Sequence, residues 1–191
     1  VPIVNSICEP RWDMLDLLKI QPFKIILMAS ERVEDGIGKQ NKTATEMWHT
    51  TRRMTETILS GNFGLTIDDL IVDIAIGTLS SDTEGLTRMS LEAAKVIHGD
   101  AGLKGIHMSG GLSNLSVQLP AKEIDGAPMK LQLENAYLTI AVPNGFDMVL
   151  GTPWRGYEIL PEDNTVLKAF KDVIALDGMD ALRQLRKLYK S

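Results

Sequence analysis

The chain has 191 residues, of which 44% are hydrophobic and 24% charged, and one cysteine; these are the proportions of a globular domain able to bury a core. A formal net charge of −5, with basic residues scattered except in the last helical stretch, supplies no field for nucleic acid. No apolar run approaches the ~18 residues that span a bilayer, and no basic segment followed by an apolar one opens the chain, so a cytoplasmic location without membrane contact is expected. Cys8 has no partner for an internal disulfide, and His49, His98 and His107 lack the spacing of a zinc site.

In chain order, strand and helix patterns alternate. Val1 to Ile7 is a β-branched run, and Glu9 to Ile20 follows at helical spacing with Pro10 in its first turn. Phe23 to Ala29 reads as a second strand, Ser30 to Lys42 as a long polar loop, and Thr43 to Ser60 as a helix. Leu70 to Ile76 reads as a third strand with Asp73 at its centre, followed by a helix from Asp82 to His98. Gly105 to Ser109 is the fourth strand; Gly110-Gly111 and Ser113-Asn114 open a loop, and Met129 to Val142 is the next helix. Phe146 to Leu150 is the fifth strand, before the loop Gly151 to Tyr157 and helices at Asp163 to Ala175 and Met179 to Lys190.

Strands that are apolar throughout and alternate with helices point to an α/β fold with a parallel sheet. Polar residues gather at successive strand ends, at Asn5-Ser6, Ser30-Glu31, Gly77-Thr78, Ser113-Asn114 and Thr152. A TIM-type (β/α)8 barrel builds its site on that face. Only about the last five βα units are expected here, however, in a chain that begins at Val1 within a strand. The reading is a single domain over residues 1–191, the C-terminal part of a longer barrel, with its remaining strands upstream or supplied by a partner.

Several segments resemble the pterin-binding barrel of methyltetrahydrofolate:corrinoid methyltransferases, to which a domain of cobalamin-dependent methionine synthases is related. They are Val4-Asn5-Ser6, Leu70-Ile71-Val72-Asp73, Gly111-Leu112-Ser113-Asn114-Leu115-Ser116, Leu133 to Leu138 and Asn144-Gly145-Phe146-Asp147. The resemblance implies transfer of the N5-methyl group of methyltetrahydrofolate to the cobalt of a corrinoid. That cobalamin or related corrinoid would be carried by a partner protein or domain, and homodimers are common in the family. It also implies site residues: Asp73 and Asn5 on the pterin ring, Ser113 beside them, and Asn114 as both pterin ligand and catalytic residue, donating a hydrogen bond to N5 as the methyl leaves.

Elementary chemistry agrees with these roles and supplies alternatives. A carboxylate can accept two adjacent N–H donors from an aminopyrimidinone edge, but Asp73 could equally cap a loop or pair with a lysine or arginine. Asn5 could be a strand-end turn residue, and Asn114 a left-handed turn residue. Trp154 and Arg155 suit an interface, or else a packed tryptophan beside a solvated arginine. A dihydropteroate synthase would need an Arg-Lys pair where this chain has Asn114-Leu115, and a non-catalytic barrel fragment completed by a partner is the third reading.

Overall fold

The computed structural model describes residues 1–124 and 126–190. Its centre is a parallel sheet built from four apolar runs: β1 (Ile3–Ile7), β2 (Lys24–Met28), β5 (Leu70–Asp73) and β6 (His107–Ser109), ordered β1-β2-β5-β6. Between β2 and the first helix stands an antiparallel hairpin, β3 (Glu31–Glu34) and β4 (Ile37–Gln40); a second, two-residue pair is β7 (Glu123–Ile124) and β8 (Ala127–Pro128). The helices are α1 (Ala44–Ser60), α2 (Leu86–Gly99), α3 (Met129–Ala141), α4 (Thr165–Ile174) and α5 (Gly178–Leu188). None of the described helices is long and apolar enough to cross a membrane.

Local chemistry explains the boundaries. Thr43 and Glu46 form a reciprocal capping box at the start of α1. The Asp82 carboxylate accepts the N–H groups of Leu86 and Thr87, each at 2.8 Å, which sets the start of α2 four residues beyond the expected one. Glu9 to Lys19 is a 3₁₀ segment interrupted at Arg11 rather than a regular helix. Its buried Glu9 accepts Val33 N–H at 2.7 Å and Arg53 Nε at 3.0 Å, tying the hairpin to α1.

Alternation divides the sheet cleanly. Ile25, Leu27, Leu70, Val72 and Met108 join the core formed with Met47, Met54 and Ile58 of α1, Ala93 and Ile97 of α2, and Leu133 and Tyr137 of α3. Asn5, Ile26, Ile71 and His107 share a row on the opposite face, and Met28, Asp73 and Ser109 form the next row toward the C-terminal end. The sheet curves so that Ile3 and Asn5 of β1 and Met148 to Leu150, beyond β6, wall one cavity of about 310 Å³ on that face.

Three further expectations need correction. The polar stretch Ser30 to Lys42 is mostly the β3–β4 hairpin, closed by Asp35 and Gly36, both at positive φ as a two-residue hairpin turn requires. Phe146 to Leu150 is not a regular fifth strand: it meets β6 and the following glycines only through two parallel bridges, Met108 to Phe146 and Gly111 to Leu150. Asp147 is the cause, because Asp147 N–H and Met148 N–H both donate to Met108 O while Asp147 Oδ1 accepts Met108 N–H, and this side chain displaces the regular ladder. Finally, β5 ends at Asp73, which therefore sits at a strand end and not mid-strand.

Candidate functional site

Asp73 is the most unusual charged group on the sheet. Its Oδ1 accepts Ala75 N–H at 2.8 Å, a tight turn that places Ala75 at a φ of 55° and carries the chain out of β5. So part of the loop-cap alternative is present, but the ion pair is absent: among the described residues no lysine or arginine reaches this carboxylate. Burial without a cation holds the Asp73 carboxyl above its ordinary value, and the one backbone N–H opposes that only in part. A partly buried acid whose second oxygen meets no donor among the described residues is costly unless a ligand supplies one.

Ser109 lies beside Asp73 across the β5/β6 pair, fully buried, with its carbonyl bonded to Ile74 N–H at 3.0 Å. The glycines after it allow close approach, to the buried Ile76 at Gly110 and to the movable Asn114 amide at Gly111. A Cβ on Gly110 would stand 2.8 Å from Ile76 Cδ1, and one on Gly111 would stand 2.8 Å from Asn114 Nδ2. Leu112 to Ser116 then forms a 3₁₀ turn in which Asn114 is exposed, Ser113 half-buried and Ser116 buried. Asn114 is not left-handed, and its amide folds over Gly111 without a hydrogen bond to any described residue.

Asn5 is exposed on β1, next to a bulge at Ser6 and a cis Asn5–Ser6 peptide, and it lines the 310 Å³ cavity together with Ser109. Asp73, Ser113 and Asn114 do not line that cavity. The structure thus brings Asn5 and Ser109 to one hollow and puts Asp73 on the same face at the adjoining strand end. Asn114 lies in the turn after β6 and is exposed.

A second polar centre escaped the sequence reading. Glu134, in the middle of α3, has 0% exposure, and its carboxylate accepts Arg155 Nη1 at 2.5 and 2.7 Å and Ser116 Oγ at 2.5 Å. Arg155 is therefore anchored, not solvated, and the neighbouring carboxylate holds it further above its usual value. Trp154 is not packed but 87% exposed. Glu134 fastens the loop that carries Asn114 to the loop that carries Trp154. Partners 18 and 21 residues apart leave no local signature in the sequence.

Cys8 is buried, and desolvation, reinforced by Glu31, pushes its thiol up to about 11, so little thiolate exists at neutral pH. Neither a scan against protein-family models nor a search of curated proteins finds a match to this chain.

Proposed function

We propose that the chain binds a methylated tetrahydropterin at the C-terminal end of its sheet and promotes transfer of the N5 methyl to the cobalt of a corrinoid carried by a partner protein. In this reading the sheet is the later arc of a TIM-type (β/α)8 barrel and residues 1–191 are a single pterin-binding domain. Support for the arc comes from sequential parallel strands, from helices packed on one face, and from a curvature that lets β1 and Met148 to Leu150 share a cavity.

The observation that carries the proposal is Asp73: a desolvated carboxyl at a strand end, held by a single backbone N–H and facing the concave side. Adjacent N–H groups on an aminopyrimidinone edge would satisfy its oxygens and draw it back to the ionised form. Asn5, on the same face, would add a neutral contact to the ring, and Ser113 a hydroxyl from the turn above it. Asn114, with an amide uncommitted among the described residues, would donate to N5. As the C–N bond breaks its electron pair stays on N5, so a donor there gains strength in the transition state while solvent provides the proton. The reduced corrinoid supplies the nucleophile.

Calorimetric titration with 5-methyltetrahydrofolate, followed by stopped-flow transfer to a reduced corrinoid, tests the reading. Saturable binding that Asp73→Asn weakens by about ten- to a hundredfold is expected, the range of a lost hydrogen-bond partner to a charged group. Equal binding by the parent and the Asp73→Asn variant would overturn it.

A further inference from the structure

Trp154 is the one tryptophan left in water: it is 87% exposed, whereas Trp12 and Trp48 are half-buried. The turn that carries it, Pro153–Arg155, is fastened on both sides. Arg155 Nη1 donates to both oxygens of the buried Glu134, Thr152 N–H donates to Tyr157 Oη at 3.0 Å, and Glu158 N–H donates to Asn135 Oδ1 at 3.2 Å. An indole on a loose loop can fold down onto its neighbours. On a pinned turn it is held out, and an aromatic side chain that could bury roughly 150–250 Å² stays hydrated.

Next to it the surface is concave and positive. Arg155 lines a cavity of about 610 Å³ with Lys122, from the stretch after β6, and Lys130, from the first turn of α3, and Pro128 and Leu131 give that cavity apolar walls. Arg155 is neutralised by Glu134. Lys122 and Lys130 are half-buried, and among the described residues neither meets a carboxylate, the exposed Glu123 beside them included; Lys122 Nζ donates to the carbonyl of Leu188 at 3.3 Å. Partly desolvated ammonium groups without counter-ions call for an anion.

A small anion would fill the cavity and leave Trp154, which does not line it, in water. An occupant that covers both features must be longer than the cavity. Nucleic acid is such a chain, but a protein of net charge −5 repels a polyanion at long range. A polypeptide segment with a few carboxylates and an apolar side chain meets each feature separately: pre-ordered tryptophan is a typical anchor of protein interfaces, and the lysines give the acidic residues complementary charge.

We propose that the 152–157 turn and the adjoining cavity form a docking surface for an acidic segment of a partner protein, with an apolar side chain of that segment against Trp154 and its carboxylates on Lys122 and Lys130. The surface shares no residue with the hollow lined by Asn5 and Ser109, so the proposal does not depend on what that hollow binds.

The test is selection of short random peptides, displayed on phage, on the 191-residue chain at physiological ionic strength. Recovered sequences should combine two or more acidic residues with an aromatic or aliphatic one. Such a peptide, synthesised, should shift the tryptophan emission of the chain to the blue, and Trp154→Phe should abolish the shift while Trp12 and Trp48 report an unchanged fold. Trp154→Ala should weaken binding about thirtyfold, the scale of an interface anchor. Lys122→Gln and Lys130→Gln should each weaken it about threefold, an effect that added salt removes. Amides in place of the peptide's carboxylates should cost as much as the lysine changes, and Asp73→Asn should cost nothing. Neutral or basic sequences among the recovered peptides, or failure to recover any that Trp154→Ala releases, would overturn the proposal. So would a dimer in analytical ultracentrifugation that Trp154→Ala converts to monomer, because the occupant would then be a second copy of this chain.

Discussion

The concave face of the sheet has two polar ends that solve the same problem in opposite ways. At the N-terminal end His107 lies between Asp147, at 2.6 Å from Nδ1, and Asp68, at 3.2 Å from Nε2, and Asp68 is also paired with Lys24 at 2.8 Å. Every charge there has an opposite neighbour. At the C-terminal end Asp73 has one backbone donor and no cation, and Asn114 has a free amide among the described residues. Satisfied groups of this kind hold a fold together, whereas an unsatisfied one costs stability and marks a candidate binding position.

The largest effect should come from breaking the clamp between the two loops of the C-terminal end. Arg155→Ala leaves a wholly buried Glu134 carboxylate with only Ser116, and because Arg155 is itself a third exposed the loss should lie near the lower end of the range for a broken buried pair, about 3 kcal/mol. Urea unfolding followed by circular dichroism measures it. A loss under 1 kcal/mol would show that the pair does not tie the loops.

Next is Asn114→Ala. It removes a donor argued to act only as charge develops, so turnover should fall on the order of 10²–10³ while affinity for 5-methyltetrahydrofolate changes little. A parallel loss in both would make Asn114 a binding residue only. Asp73→Asn should separate the two ends of the sheet most sharply. Its carboxyl titrates above the ordinary 3.8, so ionisation costs the folded state more than the unfolded one at neutral pH. The amide should leave stability equal or slightly raised even as pterin affinity falls; the corresponding change at Asp68, which loses Lys24 and His107, should lower stability.

Why one end was legible in the sequence and the other was not follows from the range of the interactions. The runs at β2 and β5 and the Thr43–Glu46 box are local, and the elements lie where composition and capping put them. Asp73 was legible as an acid amid apolar neighbours, though its place at the strand end depends on a turn through Ala75 that no β-forming pattern announces. The β3–β4 hairpin was missed because its strands, Glu31-Arg32-Val33-Glu34 and Ile37-Gly38-Lys39-Gln40, are mostly polar; the Asp35-Gly36 turn was the available signal. Glu134 entered the sequence analysis only as part of the Leu133 to Leu138 segment, since nothing near it in the chain foretells Arg155 or Ser116. The loss of regularity at Phe146 to Leu150 arises from Asp147, whose partner, His107, is 40 residues away.

The smallest effect is a dependence on pH that belongs to the N-terminal end alone. Asp147 and Asp68 hold His107 above its ordinary 6.5, so its contribution to stability is complete below 6.5 and is lost as pH rises through the higher folded value. Lys24 and His107 hold Asp68 below its ordinary 3.8, so that contribution is complete above 3.8 and is lost as pH falls through the lower folded value. Together they favour the fold most between about pH 4 and pH 6.5. Thermal melts of the parent should therefore decline from pH 6 to pH 8, and His107→Gln, which keeps a donor but cannot titrate, should flatten that decline. Asp73→Asn should leave it intact, because Asp73 is a partner of neither His107 nor its two carboxylates; a decline that survives in the glutamine variant would place its origin elsewhere than this cluster.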